Sequence, residues 1–86
     1  MITAQEVLAL LVERIAGVLA VDGMAIGADT RFDEDLHADS LDLVEVVEGV
    51  ERELRARGVA VGLPDAELVA LRTVGDAATR IAASAR

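Results

Sequence analysis

Leu8, Leu11, Ile15 and Val18/Leu19 recur at three- and four-residue intervals, the spacing that lines one side of an α-helix. The interval returns at Leu43, Val46/Val47, Val50 and Leu54, and again at Val74, Ala78 and Ile81. Three such stripes in 86 residues leave little chain for anything else. A domain this short buries only about 60% of its unfolded surface, so every stripe must face one shared core. The spacing predicts an all-α fold: a small four-helix bundle of three main helices and one short helix, in a single domain over residues 1–86.

Local signals set the boundaries. Thr3-Ala4-Gln5-Glu6 is a capping box, and Val21-Asp22-Gly23 is a turn, so the first helix runs to about Ala20. Residues 21–39 hold no sustained period and predict a long loop between helices 1 and 2. A loop of that length in a compact domain is functional or pinned, and Ile26, Phe32 and Leu36 are its expected anchors. The second helix begins at Asp39-Ser40 with Asp39 as N-cap, and Arg55, Arg57 and Gly58 suit its end. Val59-Ala60-Val61 has strand character but no partner. Pro64-Asp65 opens a short helical turn through Leu68 and Leu71. Thr73-Val74-Gly75-Asp76 caps a last helix to about Ala83, which places Ser84 in a fraying tail.

Composition then narrows the function. A hydrophobic fraction of 53% excludes a disordered chain. With no cysteine, disulfides, thiolate zinc sites and cysteine nucleophiles are excluded. All eight cations are arginine, and ten of the sixteen carboxylates lie between Asp29 and Glu53, opposed only by Arg31 and Arg52. The entire net charge of −8 thus resides in that window. A protein so charged binds neither nucleic acid nor anionic membrane; its partners are expected to present basic surfaces. The N-terminal stretch has no basic leader, and its apolar run Val7–Val12 is far short of the roughly 20 residues of a membrane span. The expectation is a soluble, cytoplasmic monomer.

Ser40, at the head of the acidic helix, has three readings. It can serve as an N-cap, although Asp39 fills that role equally well. As a hydrolytic nucleophile it would need a base, an orienting group and an oxyanion hole, yet His37 is the sole histidine and no G-x-S-x-G is present. The third reading is a covalent attachment point. Asp33-Glu34-Asp35-Leu36-His37-Ala38-Asp39-Ser40-Leu41-Asp42 resembles the signature of acyl carrier proteins, which commonly reads D-L-G-x-D-S-L. Leu68-Val69-Ala70-Leu71-Arg72-Thr73-Val74-Gly75-Asp76 resembles the stretch before that family's last helix, and the likeness covers nearly the whole chain.

The resemblance implies a non-catalytic carrier. A phosphopantetheinyl transferase would place 4′-phosphopantetheine on Ser40, and the arm's thiol would carry acyl intermediates of polyketide or fatty-acid biosynthesis as thioesters. Further partners would be ketosynthase, acyltransferase-type or acyl-ligase enzymes with basic docking surfaces. Asp39, Leu41, Asp42, Val44, Glu45, Glu48 and Glu51 are the expected recognition residues, the acids for steering and Leu41 and Val44 for a small dry contact. An acyl chain is expected to shelter between helices lined by Val and Ala. His37 stands where the family pattern has Gly, Glu48 where an apolar residue is common, and Arg52 interrupts the acidic row. The connection 55–63 is several residues longer than in fatty-acid carriers.

Two rivals share the acidic window. A calcium loop begun at Asp33 needs Gly at its sixth position and Glu at its twelfth, but finds Ala38 and Val44, and no metal site is expected. An unmodified helical adaptor for a basic partner would differ from a carrier in leaving Ser40 bare.

Overall fold

A computed structural model describes residues 2–85. Four α-helices follow one another among them: α1 (Ala4–Leu19), α2 (Ser40–Ala56), α3 (Asp65–Leu68) and α4 (Val74–Ala83). Three are long and one is a single turn, with a long loop between α1 and α2, as the apolar spacing predicts. The three long helices all open with a capping box: Thr3 with Glu6, Asp39 with Asp42, and Thr73 with Asp76. Each cap oxygen takes the N–H three residues on, and the returning carboxylate takes the cap's own N–H, so two open donors are satisfied at once. At its far end α2 passes through Arg57 to Gly58, whose φ of 84° is the left-handed turn that glycine adopts without a Cβ clash.

The core is where the stripes meet. α1 packs on α4 and α2, burying Val7, Leu11 and Ile15 completely. Val7, rather than Leu8, leads this stripe: positions 7, 11 and 15 stack along the face toward α2 and α4, while Leu8 is turned to the margin and half-buried. Leu43, Val46, Val47, Val50 and Leu54 of α2 and Val74, Ala77, Ala78 and Ile81 of α4 join these α1 residues in one buried cluster, together with Leu68 and Leu71.

Ile26 and Phe32 plug the long loop into this core, and Leu36 lies half-buried beside it. One feature of the loop has no periodic signal. Asp22 accepts the Met24 N–H at 2.9 Å and starts a 3-10 turn over Gly23–Ala25, too short to show a helical repeat. The loop is also stitched to the segment before α4. Phe32 N–H donates to the Arg72 carbonyl (3.0 Å), Val74 N–H to Thr30 (3.0 Å) and Gly75 N–H to Ala28 (2.9 Å). Arg31 and Thr73 form an isolated antiparallel bridge here. A Cβ on Gly75 would stand 2.9 Å from the Ala28 carbonyl oxygen, so this approach requires glycine.

No strand forms at Val59–Val61 among the described residues; Val59, Val61 and Leu63 instead lie half-buried against the core. Ser84, expected in a fraying tail, is engaged on both sides. Its hydroxyl donates to the Ile81 carbonyl at 2.7 Å and accepts the Gly62 N–H at 3.3 Å. The connection from Gly58 to Pro64 reaches back across α4 and supplies a partner that chain position alone does not reveal. Asp76 accepts the N–H groups of Thr73 (3.1 Å) and Arg72 (3.3 Å). The Thr73 amide, foremost, holds its carboxyl below the ordinary carboxylate range.

Candidate functional site

The approach to Ser40 is a tight turn of the long loop. Arg31 O accepts from the amides of Asp35 (3.2 Å) and Leu36 (3.1 Å), Asp33 O from His37 (3.1 Å), and Phe32 O from Ala38 (2.8 Å). Because Phe32 is buried, the last of these bonds ties the chain to the core two residues before Ser40. His37 closes the turn at φ 52°, the left-handed region, where a glycine stands in the signature. A glycine adopts that region without the Cβ clash that histidine meets there.

Ser40 is the first residue of α2 and is exposed. Its hydroxyl does not cap the helix. Asp39 Oδ1 accepts the Asp42 N–H at 2.8 Å, and Asp42 Oδ2 accepts the Asp39 N–H at 3.2 Å. That exchange leaves the amides of Ser40 and Leu41 as the open donors of the first turn. No hydrogen bond joins the Ser40 hydroxyl to His37 or to any other described residue.

The expected recognition residues are distributed unevenly around α2. Leu41 is 78% exposed, an apolar side chain in water directly after Ser40. Val44, expected beside it, is half-buried and packs on the core, because it flanks the inward stripe. Glu45 and Glu48 are exposed and belong to no ion pair among the described residues. Asp39 is exposed and Asp42 half-buried, each with one oxygen in the cap. Glu51 is half-buried, and its Oε2 accepts the Leu63 N–H at 3.0 Å.

An open groove of about 640 Å³ runs between α1 and α2, and its walls include Glu13, Arg14, Glu45 and Glu53. It is a charged cleft, unlike the Val- and Ala-lined shelter expected for an acyl chain. Arg14 lies across Gly49 there, where a Cβ would overlap its guanidinium. Three features have no counterpart in the sequence reasoning: the Glu51 and Ser84 hydrogen bonds to the α2–α3 connection, and Val69, 79% exposed just beyond α3. The unusual length of that connection was the one signal pointing toward the first two.

The site thus combines an exposed turn, an exposed serine whose hydroxyl does not cap the helix, and an acidic helix behind it. Residues 9–81 match the family model described as a phosphopantetheine attachment site. The acyl carrier protein of Helicobacter hepaticus is 37% identical over 82 residues, covering 95% of this chain and 96% of that protein. That of Rickettsia canadensis is 37% identical over 76 residues, covering 88% and 83%. The chain belongs to the acyl carrier protein family. It is a non-catalytic carrier, its prosthetic group is 4′-phosphopantetheine, and its partners are a phosphopantetheinyl transferase and biosynthetic enzymes. No helix among the described residues is long and apolar enough to cross a membrane.

Proposed function

We propose that Ser40 is the residue that bears the arm. One observation carries this: the Ser40 hydroxyl is exposed at the start of a 17-residue helix with no hydrogen-bond partner among the described residues, its capping role taken by Asp39. The site fits a phosphodiester. The free amides of Ser40 and Leu41 and the positive end of the helix dipole favour the negative charge that esterification creates there. Asp39 and Asp42 repel it, and in the cap each already shares an oxygen with a backbone N–H.

In the modification the Ser40 oxygen attacks the phosphorus of coenzyme A that bears pantetheine. A new P–O bond forms, the pyrophosphate bond breaks, and adenosine 3′,5′-bisphosphate leaves. The hydroxyl proton passes to a base of the transferase, since no described residue of this chain is hydrogen-bonded to it. The bound arm supplies the thiol on which acyl groups are carried as thioesters. Asp39, Leu41, Asp42, Val44, Glu45 and Glu48 form the recognition face. Its unpaired acids attract basic surfaces of the transferase and of ketosynthase, acyltransferase-type or acyl-ligase enzymes, and Leu41 gives the contact a dry centre. Polyketide or fatty-acid biosynthesis is the setting this chemistry serves.

The test is intact mass after incubation with coenzyme A, magnesium and a broad-specificity phosphopantetheinyl transferase. One added phosphopantetheinyl group in the wild type and none in Ser40→Ala is the expected result. A folded wild type that stays unmodified beside a modified control carrier would support an unmodified acidic adaptor instead.

A further inference from the structure

Two consecutive amides of the α2–α3 connection are held by side chains from two different helices. Gly62 N–H donates to Ser84 Oγ at the end of α4 (3.3 Å), and Leu63 N–H donates to Glu51 Oε2 on α2 (3.0 Å). Ser84 is itself fixed by its 2.7 Å bond to the Ile81 carbonyl. Between Gly58 and Pro64 the chain has no helix or strand to satisfy its backbone; beyond the Val59 N–H bond to the Leu54 carbonyl (2.8 Å) at its start, these two bonds and the half-buried Val59, Val61 and Leu63 hold it down.

What lies beyond the strap gives it consequence. Pro64 leads straight into α3, which packs on α2, and Leu68 and Leu71 enter the core. The next residue, Arg72, accepts the Phe32 N–H, and Phe32 O in turn accepts the Ala38 N–H, two residues before Ser40. The strap therefore fixes the start of the segment that braces the attachment turn.

We infer that Glu51 is a positioning residue of this strap, paired in that task with Ser84, and that the docking row on α2 ends at Glu48. The inference rests on the proposed docking of basic partners along α2 and redraws its boundary. Glu45 and Glu48 stand exposed without a partner, whereas Glu51 is half-buried and committed to a backbone donor. The bond needs an oxygen acceptor and does not need the charge. Docking needs the charge. Glutamine separates the two.

The experiment measures amide hydrogen exchange at Gly62 and Leu63 in the full chain, and kcat/KM for modification by the transferase at low salt. It compares wild type with Glu51→Gln, Glu51→Ala, Ser84→Ala and Glu48→Gln. Glu51→Gln should match wild type in both readouts within about twofold, because the amide oxygen replaces the carboxylate. Glu51→Ala should speed Leu63 exchange, and Ser84→Ala Gly62 exchange, by about tenfold relative to the core amide of Val47. Both should lower kcat/KM by a shared factor, while Glu48→Gln lowers it with exchange unchanged. The inference is overturned if Glu51→Gln lowers kcat/KM as far as Glu48→Gln does, or if Glu51→Ala leaves Leu63 exchange at the wild-type rate. A wild type that takes no phosphopantetheine would sink the carrier reading alone; the exchange comparison would still decide the strap.

Discussion

His37 holds a left-handed backbone, φ 52°, three residues before Ser40. For an L residue that region costs roughly 1–2 kcal/mol, with histidine among the more tolerant, and glycine avoids the clash at the expense of a more flexible unfolded chain. His37→Gly should therefore stabilise the protein by about 0.5–1 kcal/mol, read as a rise of a few degrees in Tm, with Ser40 still modified. A fall in Tm would mean that the imidazole makes a contribution the backbone argument omits. At this scale the sequence points to a position without settling its role. The D-S-L triplet with its order and spacing points to Ser40 as the expected attachment residue, and His37, standing where the signature has Gly, marks the position that takes the left-handed backbone. What the residues did not reveal was Glu51, because its partner is an amide twelve positions away with no side-chain signature of its own.

Helix starts were readable because a capping box is written within four consecutive residues, and Thr3, Asp39 and Thr73 all form theirs. The stitching of the long loop was not readable. It pairs backbone groups around Thr30 with those around Val74, more than forty residues apart, and backbone pairing leaves no mark on side-chain identity. Gly75 is the exception that could be tested from either side. Its amide donates to Ala28 O at 2.9 Å and a Cβ would press on that same oxygen, so Gly75→Val should cost about 1–3 kcal/mol and loosen the amides of Phe32 and Val74 in hydrogen exchange. The α4 cap contributes a pH dependence. With its carboxyl held below the ordinary range, mainly by the Thr73 amide, Asp76 stabilises the fold fully above its unfolded pKa and loses that effect as pH falls through its folded one. Asp76→Asn should be less stable than wild type at pH 7 and should lose less on acidification below about pH 4, in urea titrations at each pH.

The whole molecule is small and closely packed, with a Cα radius of gyration of 11.5 Å against roughly 12 Å expected for its length. A body this size buries its apolar stripes in one shared core. Its net charge of −8 falls within the stretch from Asp29 to Glu53, the loop and helix on either side of Ser40. Attraction of that origin is screened as the Debye length shrinks from about 10 Å at 0.1 M salt to 3 Å at 1 M. Transferase kcat/KM should drop roughly tenfold between 50 and 500 mM salt, mainly through association; a flat profile would take steering away from the acidic face. The central claim is the residue that bears the arm, and the sequence offers a clean way to locate it. Cleavage after Arg31 and Arg52 releases Phe32–Arg52, a peptide in which Ser40 is the sole hydroxyl residue. After transferase treatment, tandem mass spectrometry should find the whole added group on this peptide and none on any other. An unmodified Phe32–Arg52 peptide from a chain that has gained the group would contradict the account.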